Sequence, residues 1–217
     1  MVQTDGWVLG CTAGPVVADD GGMQAESTPR ALSAVDWPVR TERLLIRPAT
    51  PDDADPTWRI RSRPGVSDWL TSDAGDRVRY GERFADPARL AKTLVIEHDG
   101  VVVGDLMVSV EDAWAQSEVV EQARGVQAEL GWVVDPSYAG RGLATEAARA
   151  LLRICFADLG LRRVTASCFA DNTASWRLME KLGMRRELHT VRESLHRSGE
   201  WLDGYGYGLL AEEWRSS

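Results

Sequence analysis

The stretch Ala128-Glu-Leu-Gly-Trp-Val-Val-Asp-Pro-Ser-Tyr-Ala-Gly-Arg-Gly-Leu-Ala-Thr-Glu-Ala147 decides the fold. Residues 127–134 predict a strand, ended by Asp135-Pro136. A short glycine-containing loop follows, and a helix opens directly from it. That helix is predicted over 142–159, because Leu143, Ala147, Leu151 and Ile154 recur along one face and Gly160 supplies a stop. A strand feeding a helix in this way aims backbone N–H groups, and the positive end of the helix dipole, at whatever lies beyond the strand. Glycine at 140 and 142 lets the backbone approach a bulky anion and adopt positive φ. The natural ligand of such a nest is a phosphate or diphosphate. It is not a Walker loop, since no Lys-Ser/Thr follows the glycines, and it lacks the third glycine of a dinucleotide fingerprint. Taken alone, the loop reads more readily as a tight turn that caps a helix.

Working outward, residues 163–169 read as the next strand, and Asn172–Leu182 as a helix with Trp176, Met179 and Leu182 on its apolar side. Two strands follow, at 185–195 and 201–210, joined near Ser198-Gly199, and a last helical turn holds Trp214. Upstream, residues 93–110 form the clearest hairpin, turning at Asp99-Gly100. Residues 41–48 read as a strand, and Thr50-Pro51-Asp52-Asp53 as a helix start. Between them, 52–91 is expected to hold two or three short helices with loops, and 111–124 a loop or short helix. The order is that of a mixed α/β sheet with a parallel crossover around the 142–159 helix.

In this order and spacing the motifs resemble the GNAT superfamily of acyl-CoA-dependent N-acyltransferases, over roughly residues 40–215. The likeness is to the RimJ/RimL branch, which includes ribosomal-protein-alanine N-acetyltransferases and small-molecule relatives. It is carried by Thr41-Glu-Arg-Leu-Leu-Ile-Arg, Ala128-Glu-Leu-Gly-Trp, Gly140-Arg-Gly-Leu-Ala-Thr-Glu-Ala, Asn172-Thr-Ala-Ser-Trp-Arg, Glu180-Lys-Leu-Gly-Met and Gly199-Glu-Trp-Leu-Asp203. The resemblance implies a GNAT fold: a mixed central sheet of about six to seven strands flanked by helices, with acyl-CoA at splayed central strands. It divides the chain into an N-terminal extension, 1–36, and a GNAT domain, 37–217.

The resemblance also implies a site. The pyrophosphate segment falls on Ala139, Gly140, Arg141, Gly142, Leu143, Ala144 and Thr145, where Gly142 and Ala144 match the family's pattern and Ala139 departs from its Gln/Arg. Arg141 is either a phosphate contact or a solvated surface residue. Backbone groups of Trp132, Val133 and Val134 would hold the acyl carbonyl and pantetheine. Asn172 matches the pantetheine contact and suits a helix N-cap as well.

An amine at pKa roughly 8–10 must lose a proton before it attacks a thioester. Glu129, an acid inside an apolar strand, is the candidate base, with a solvent-facing strand residue as the plain alternative. Many relatives keep a Tyr acid where this chain has Met179; Ser175, of the branch's Asn-x-x-Ser pattern, is the remaining candidate for stabilising the leaving thiolate. His189 and His196 are further candidates for the acceptor cleft.

The expected reaction is direct transfer of acetyl from acetyl-CoA to a primary amine, on a protein N-terminus or a small molecule. The runner-up is a regulatory module that binds acyl-CoA without catalysis, kept open by the missing Tyr at 179.

Composition sets the outer bounds. The 217 residues hold 25 Lys+Arg against 33 Asp+Glu, a net charge of -8, which argues against nonspecific binding to nucleic-acid phosphates. At 44% hydrophobic and 27% charged the chain is globular. Cys11, Cys155 and Cys168 lie far apart, so neither a metal site nor a disulfide framework is expected. No apolar run suits a membrane span and no signal peptide is visible, so a cytoplasmic protein is expected. Residues 1–36 carry five acids and one base among Gly and Pro and read as a flexible extension. A homodimer is an option the resemblance leaves open.

Overall fold

The computed structural model describes residues 31–214. Most of the expected extension, including Cys11, lies outside the described residues. The remainder of that extension packs inward: Val35 is buried, and the Trp37 indole donates to the Leu32 carbonyl at 2.9 Å.

The strands are β1 (Val39–Arg40), β2 (Leu44–Pro48), β3 (Thr93–His98), β4 (Val101–Glu111), β5 (Gln127–Val134), β6 (Arg163–Phe169), β7 (Arg185–Leu195) and β8 (Trp201–Leu210). The helices are α1 (Ala54–Arg61), α2 (Arg77–Phe84), α3 (Pro87–Leu90), α4 (Leu143–Arg153) and α5 (Thr173–Lys181). All eight strands join one mixed sheet in the order β1-β2-β3-β4-β5-β6-β8-β7. The strand beyond the expected six to seven is β1, whose two residues are too few to carry a hydrophobic period. β5 and β6 are parallel and their crossover carries α4; every other pairing is antiparallel.

Both sheet faces are covered. The larger core joins one face to α4 and α5 through Leu106, Val108, Leu130, Leu151, Ile154 and Met179. Leu143, Ala147, Leu151 and Ile154 are all within 2% of full burial, as their spacing requires. The smaller core puts Tyr80 and Phe84 of α2 against Val95 on the opposite face. Burying a Phe or Leu side chain contributes about 1.5–3 kcal/mol.

Two segments differ from the expectation. Residues 41–43 form a turn rather than strand, because the Thr41 hydroxyl accepts the Leu44 N–H at 3.0 Å. The long helix is α-helical only to Arg153 and widens into a π-turn over Ile154–Asp158, closed by Leu159 N–H donating to the Ile154 carbonyl at 2.9 Å. Ile154, Cys155 and Phe156 are all buried there.

What positions the site is the relation between β5 and β6. They pair only at Gln127↔Arg163, Ala128↔Val164 and Glu129↔Thr165. Beyond Glu129 the strands diverge, although β5 stays bonded to β4 through Val134↔Gly104 and β6 to β8 through Phe169↔Gly204. Gly104 permits this on the β4 side, since a Cβ there would collide with the Val133 carbonyl.

Candidate active site

A cleft of about 850 Å³ opens where β5 and β6 part. It gathers Glu129, Trp132, Val133, Val134, Ala139, Ala144, Asn172 and Ser175 from separate parts of the chain. Gly140, Arg141, Gly142, Leu143 and Thr145 do not line it.

Antiparallel pairing alternates which amides face the partner strand. Asp135 N–H donates to the Val103 carbonyl at 2.8 Å, so the amides of Asp135 and Val133 turn toward β4. Those of Trp132 and Val134 turn the other way, into the opening. Of the three backbone groups expected to serve the donor, the amides of Trp132 and Val134 are therefore available, and that of Val133 is taken by β4.

At the mouth, Gly142 is the N-cap of α4 in the left-handed region, φ 79°, and Gly140 has φ 75°. A residue with Cβ would be strained at either place. The loop is braced from behind. The Glu146 carboxylate accepts from the Thr41 hydroxyl at 2.6 Å, from Arg43 N–H at 2.9 Å and from Arg43 Nε at 2.7 Å. Arg43 Nη1 also donates to the Arg141 carbonyl at 2.8 Å. Burial pushes the Glu146 carboxyl up, and the bonds from Thr41 and Arg43 outweigh it, leaving the group below the usual glutamate range. The Arg141 side chain lies over the Tyr138 ring at 5.2 Å.

Glu129 stands half-buried on the face of β5 shared with Gly131 and Val133, opposite Ser109 of β4. Its carboxylate has no ion-pair partner among the described residues. Asn172 caps α5, its side chain accepting the Ser175 N–H at 3.2 Å. Ser175 lines the same cleft as Cys168 of β6. Burial pushes the Cys168 thiol up, and the nearby Ser175 side chain opposes that in part. Met179, where the resemblance led to an expected Tyr, is 1% exposed and packs into the core at the cleft floor.

Several cleft residues carried no local signal. Arg61 of α1 pairs with Asp105 of β4, Nε to Oδ2 at 2.9 Å, and Asp105 is 1% exposed. Only the placing of an acid inside Val101-Val-Val-Gly-Asp105-Leu-Met-Val marked this pair in the sequence. Trp69, Leu70, Thr71 and Ser72 form one wall. That wall is clasped by the β7–β8 turn, with His196 Nε2 2.8 Å from the Asp68 carbonyl and Arg197 Nη2 donating to the Leu70 carbonyl at 2.6 Å. His196 thus supports the wall rather than lining the cleft, and His189 lies elsewhere, 2.9 Å from Asp203. Among the described residues no cluster of His, Cys, Asp or Glu could hold a metal, and no helix is long and apolar enough to cross a membrane.

The family pattern described as acetyltransferase (GNAT) domain matches residues 43–185. The N-acetyltransferase YnaD of Bacillus subtilis, itself uncharacterised, is 43% identical over 40% of this chain and half of its own length. The L-amino acid N-acetyltransferase AaaT of Escherichia coli is 29% identical over 75% of this chain and 94% of its own. Among solved structures, Mycobacterium smegmatis RimJ in complex with CoA-disulfide is 27% identical, with a TM-score of 0.65 over 80% of this chain and 85% of that one. The chain therefore belongs to the GNAT family, in its RimJ/RimL-like branch, and is an N-acetyltransferase.

Proposed function

We propose that the protein moves acetyl from acetyl-CoA to a primary amine by direct attack, with Glu129 as the base. The observation that carries this reading is the divergence of β5 from β6 just past Glu129. It turns the amides of Trp132 and Val134 into a cleft that also holds an acid with no ion-pair partner among the described residues. A pantetheine arm fits those amides, and the α4 N-terminus fits a diphosphate. The binding residues are Trp132, Val133, Val134, Ala139, Ala144 and Asn172 along the cleft, with Gly140, Arg141, Gly142, Leu143 and Thr145 in the loop.

Bound acetyl-CoA supplies the acyl group and a thiolate leaving group. Glu129 takes the proton from the acceptor ammonium, directly or through a water. The amine then forms its bond to the acyl carbon as the C–S bond breaks, and the second proton shed by the nitrogen passes to the departing thiolate. The Trp132 amide, nearer along β5 to Glu129, receives the charge that grows on the acyl oxygen. Ser175 stands beside Cys168 to stabilise the departing sulfur. Cys155 is closed to a role as covalent acceptor, being fully buried with its thiol pushed up to about 12 by that burial, and burial raises the Cys168 thiol as well.

The acceptor is a small-molecule amine or a protein N-terminus, and the name of AaaT supports free amino acids among the former. The reading is tested by calorimetric titration with acetyl-CoA, beside a Gly142→Trp variant, followed by an amine panel read by CoA release. Binding lost in the variant and release that depends on an amine support it. No binding at millimolar ligand overturns it.

A further inference from the structure

The cleft holds more charge than acetyl transfer uses. Three acids line it, Asp86, Asp105 and Glu129. Asp105 is taken by Arg61. Asp86 caps α3, its carboxylate accepting the Ala88 N–H at 2.8 Å and the Arg89 N–H at 3.2 Å. Glu129 alone is left. Of the three cations, Arg61 is engaged by Asp105, while Arg89 and Lys92 have no ion-pair partner among the described residues.

Arg89 is held in place as well as unpaired. Its guanidinium lies 5.4 Å from the ring centres of both Tyr80 and Phe84, which are 2% and 0% exposed. Its backbone is fixed by the Asp86 cap and by the Thr93 hydroxyl, which donates to the Arg89 carbonyl at 2.7 Å. A planar fork fixed at the edge of a cleft suits a carboxylate, which it can bind through two parallel bonds.

The sheet sets its place relative to Glu129. Thr93 pairs with Met107, and Met107 with Gly131, one position along the same face from Glu129. Two strand spacings, about 10 Å, separate the Thr93 and Gly131 backbones. The base and the free cations thus border one space of small-molecule size, on opposite sides.

We propose that Arg89, with Lys92 beside it, selects an acceptor that carries a carboxylate near its amine: the ammonium meets Glu129 and the carboxylate meets Arg89. A polyamine would set its second positive charge against these two cations. The inference rests on the acetyl-transfer reading above and narrows its acceptor.

The test is steady-state CoA release by the full chain with acetyl-CoA and matched acceptors: a panel of L-amino acids, the amide of each, the decarboxylated amine of each, and phosphoethanolamine. The expected result is kcat/KM about 100-fold higher for an acid than for its amide. Arg89→Gln should bring that ratio near one, chiefly through the KM of the acid, and Arg89→Lys should restore part of it. The melting temperature and CoA titration of each variant report folding, and the wild-type ratio stands even where a variant fails to fold. Equal use of acid and amide overturns the proposal and leaves acetyl transfer standing. So does an equal loss on both in Arg89→Gln, or a preference for phosphoethanolamine. No release with any amine overturns the acetyl-transfer reading and this proposal together.

Discussion

Arg43 and Glu146, 103 residues apart, hold each other at 2.6 Å and so fix the start of β2 to the first turn of α4. Because Arg43 also reaches the Arg141 carbonyl, the same contact sets the shape of the glycine loop. Replacing Glu146 by Gln should cost about 1–2 kcal/mol, since a carboxylate accepting several bonds is lost at a partly solvated site. Acetyl-CoA affinity should fall about tenfold. Urea melts and calorimetry measure the two effects.

The stability conferred by Glu146 depends on pH in a fixed direction. Its carboxyl lies below the usual range when folded, so its contribution is full above the unfolded glutamate value of about 4.3. It is lost as pH falls below that value and through the lower folded one. The difference in urea midpoint between wild type and Glu146→Gln should be constant from pH 7 to pH 5 and shrink below pH 4. A difference that grows on acidification would contradict this.

Glu129→Gln should lower kcat about 100-fold and leave acetyl-CoA binding nearly unchanged. Rising pH should recover part of the loss, because the amine then arrives already deprotonated. Pre-steady-state and steady-state rates from pH 7 to 10 check both statements. An unchanged kcat would remove Glu129 from the chemistry.

Gly140→Ala and Gly142→Ala each place a Cβ at positive φ, at a cost of roughly 1–2 kcal/mol. Around neither position does a Cβ meet a close neighbour, so both variants should fold. Binding of acetyl-CoA should weaken by more than tenfold in Gly142→Ala, which caps α4 itself. Thermal melts separate the folding cost from the binding loss.

Cys168 lines the cleft and Cys155 is sealed in the core. Iodoacetamide should label Cys168 slowly, given its raised thiol, and acetyl-CoA should protect it. Cys155 should stay unlabelled until the protein unfolds. Peptide mapping by mass spectrometry distinguishes the sites.

The sequence was most legible where a short range of residues carries the whole signal. The face of α4, the turn at Asp99-Gly100 and the strand–glycine loop–helix order all belong to this kind. Asp99 and Gly100 have φ of 52° and 76°, the positive values that such a turn requires. Other features depend on partners far along the chain. Nothing near Asp105 announces Arg61, and nothing near Arg89 announces that its charge goes unanswered. Thr41 looks like strand until its hydroxyl is seen to take the Leu44 amide. Ser175 was visible as part of a motif, but its place beside Cys168 needed β6 and α5 in place. The amide of Val133 drops out while those of Trp132 and Val134 remain, because only the register of β4 decides which way each one points.

The sheet is joined at its middle by three residue pairs, between β5 and β6. On either side of that seam lie a five-stranded panel and a three-stranded one, each strand bonded to its neighbour within the panel. A donor whose arm bonds to the Val134 amide supplies rungs that the seam lacks, so it acts as a removable strand. The cosubstrate is then also a fastener. With it in place the two panels should open together in amide exchange, and without it the panels regain independent motion about Gln127–Glu129.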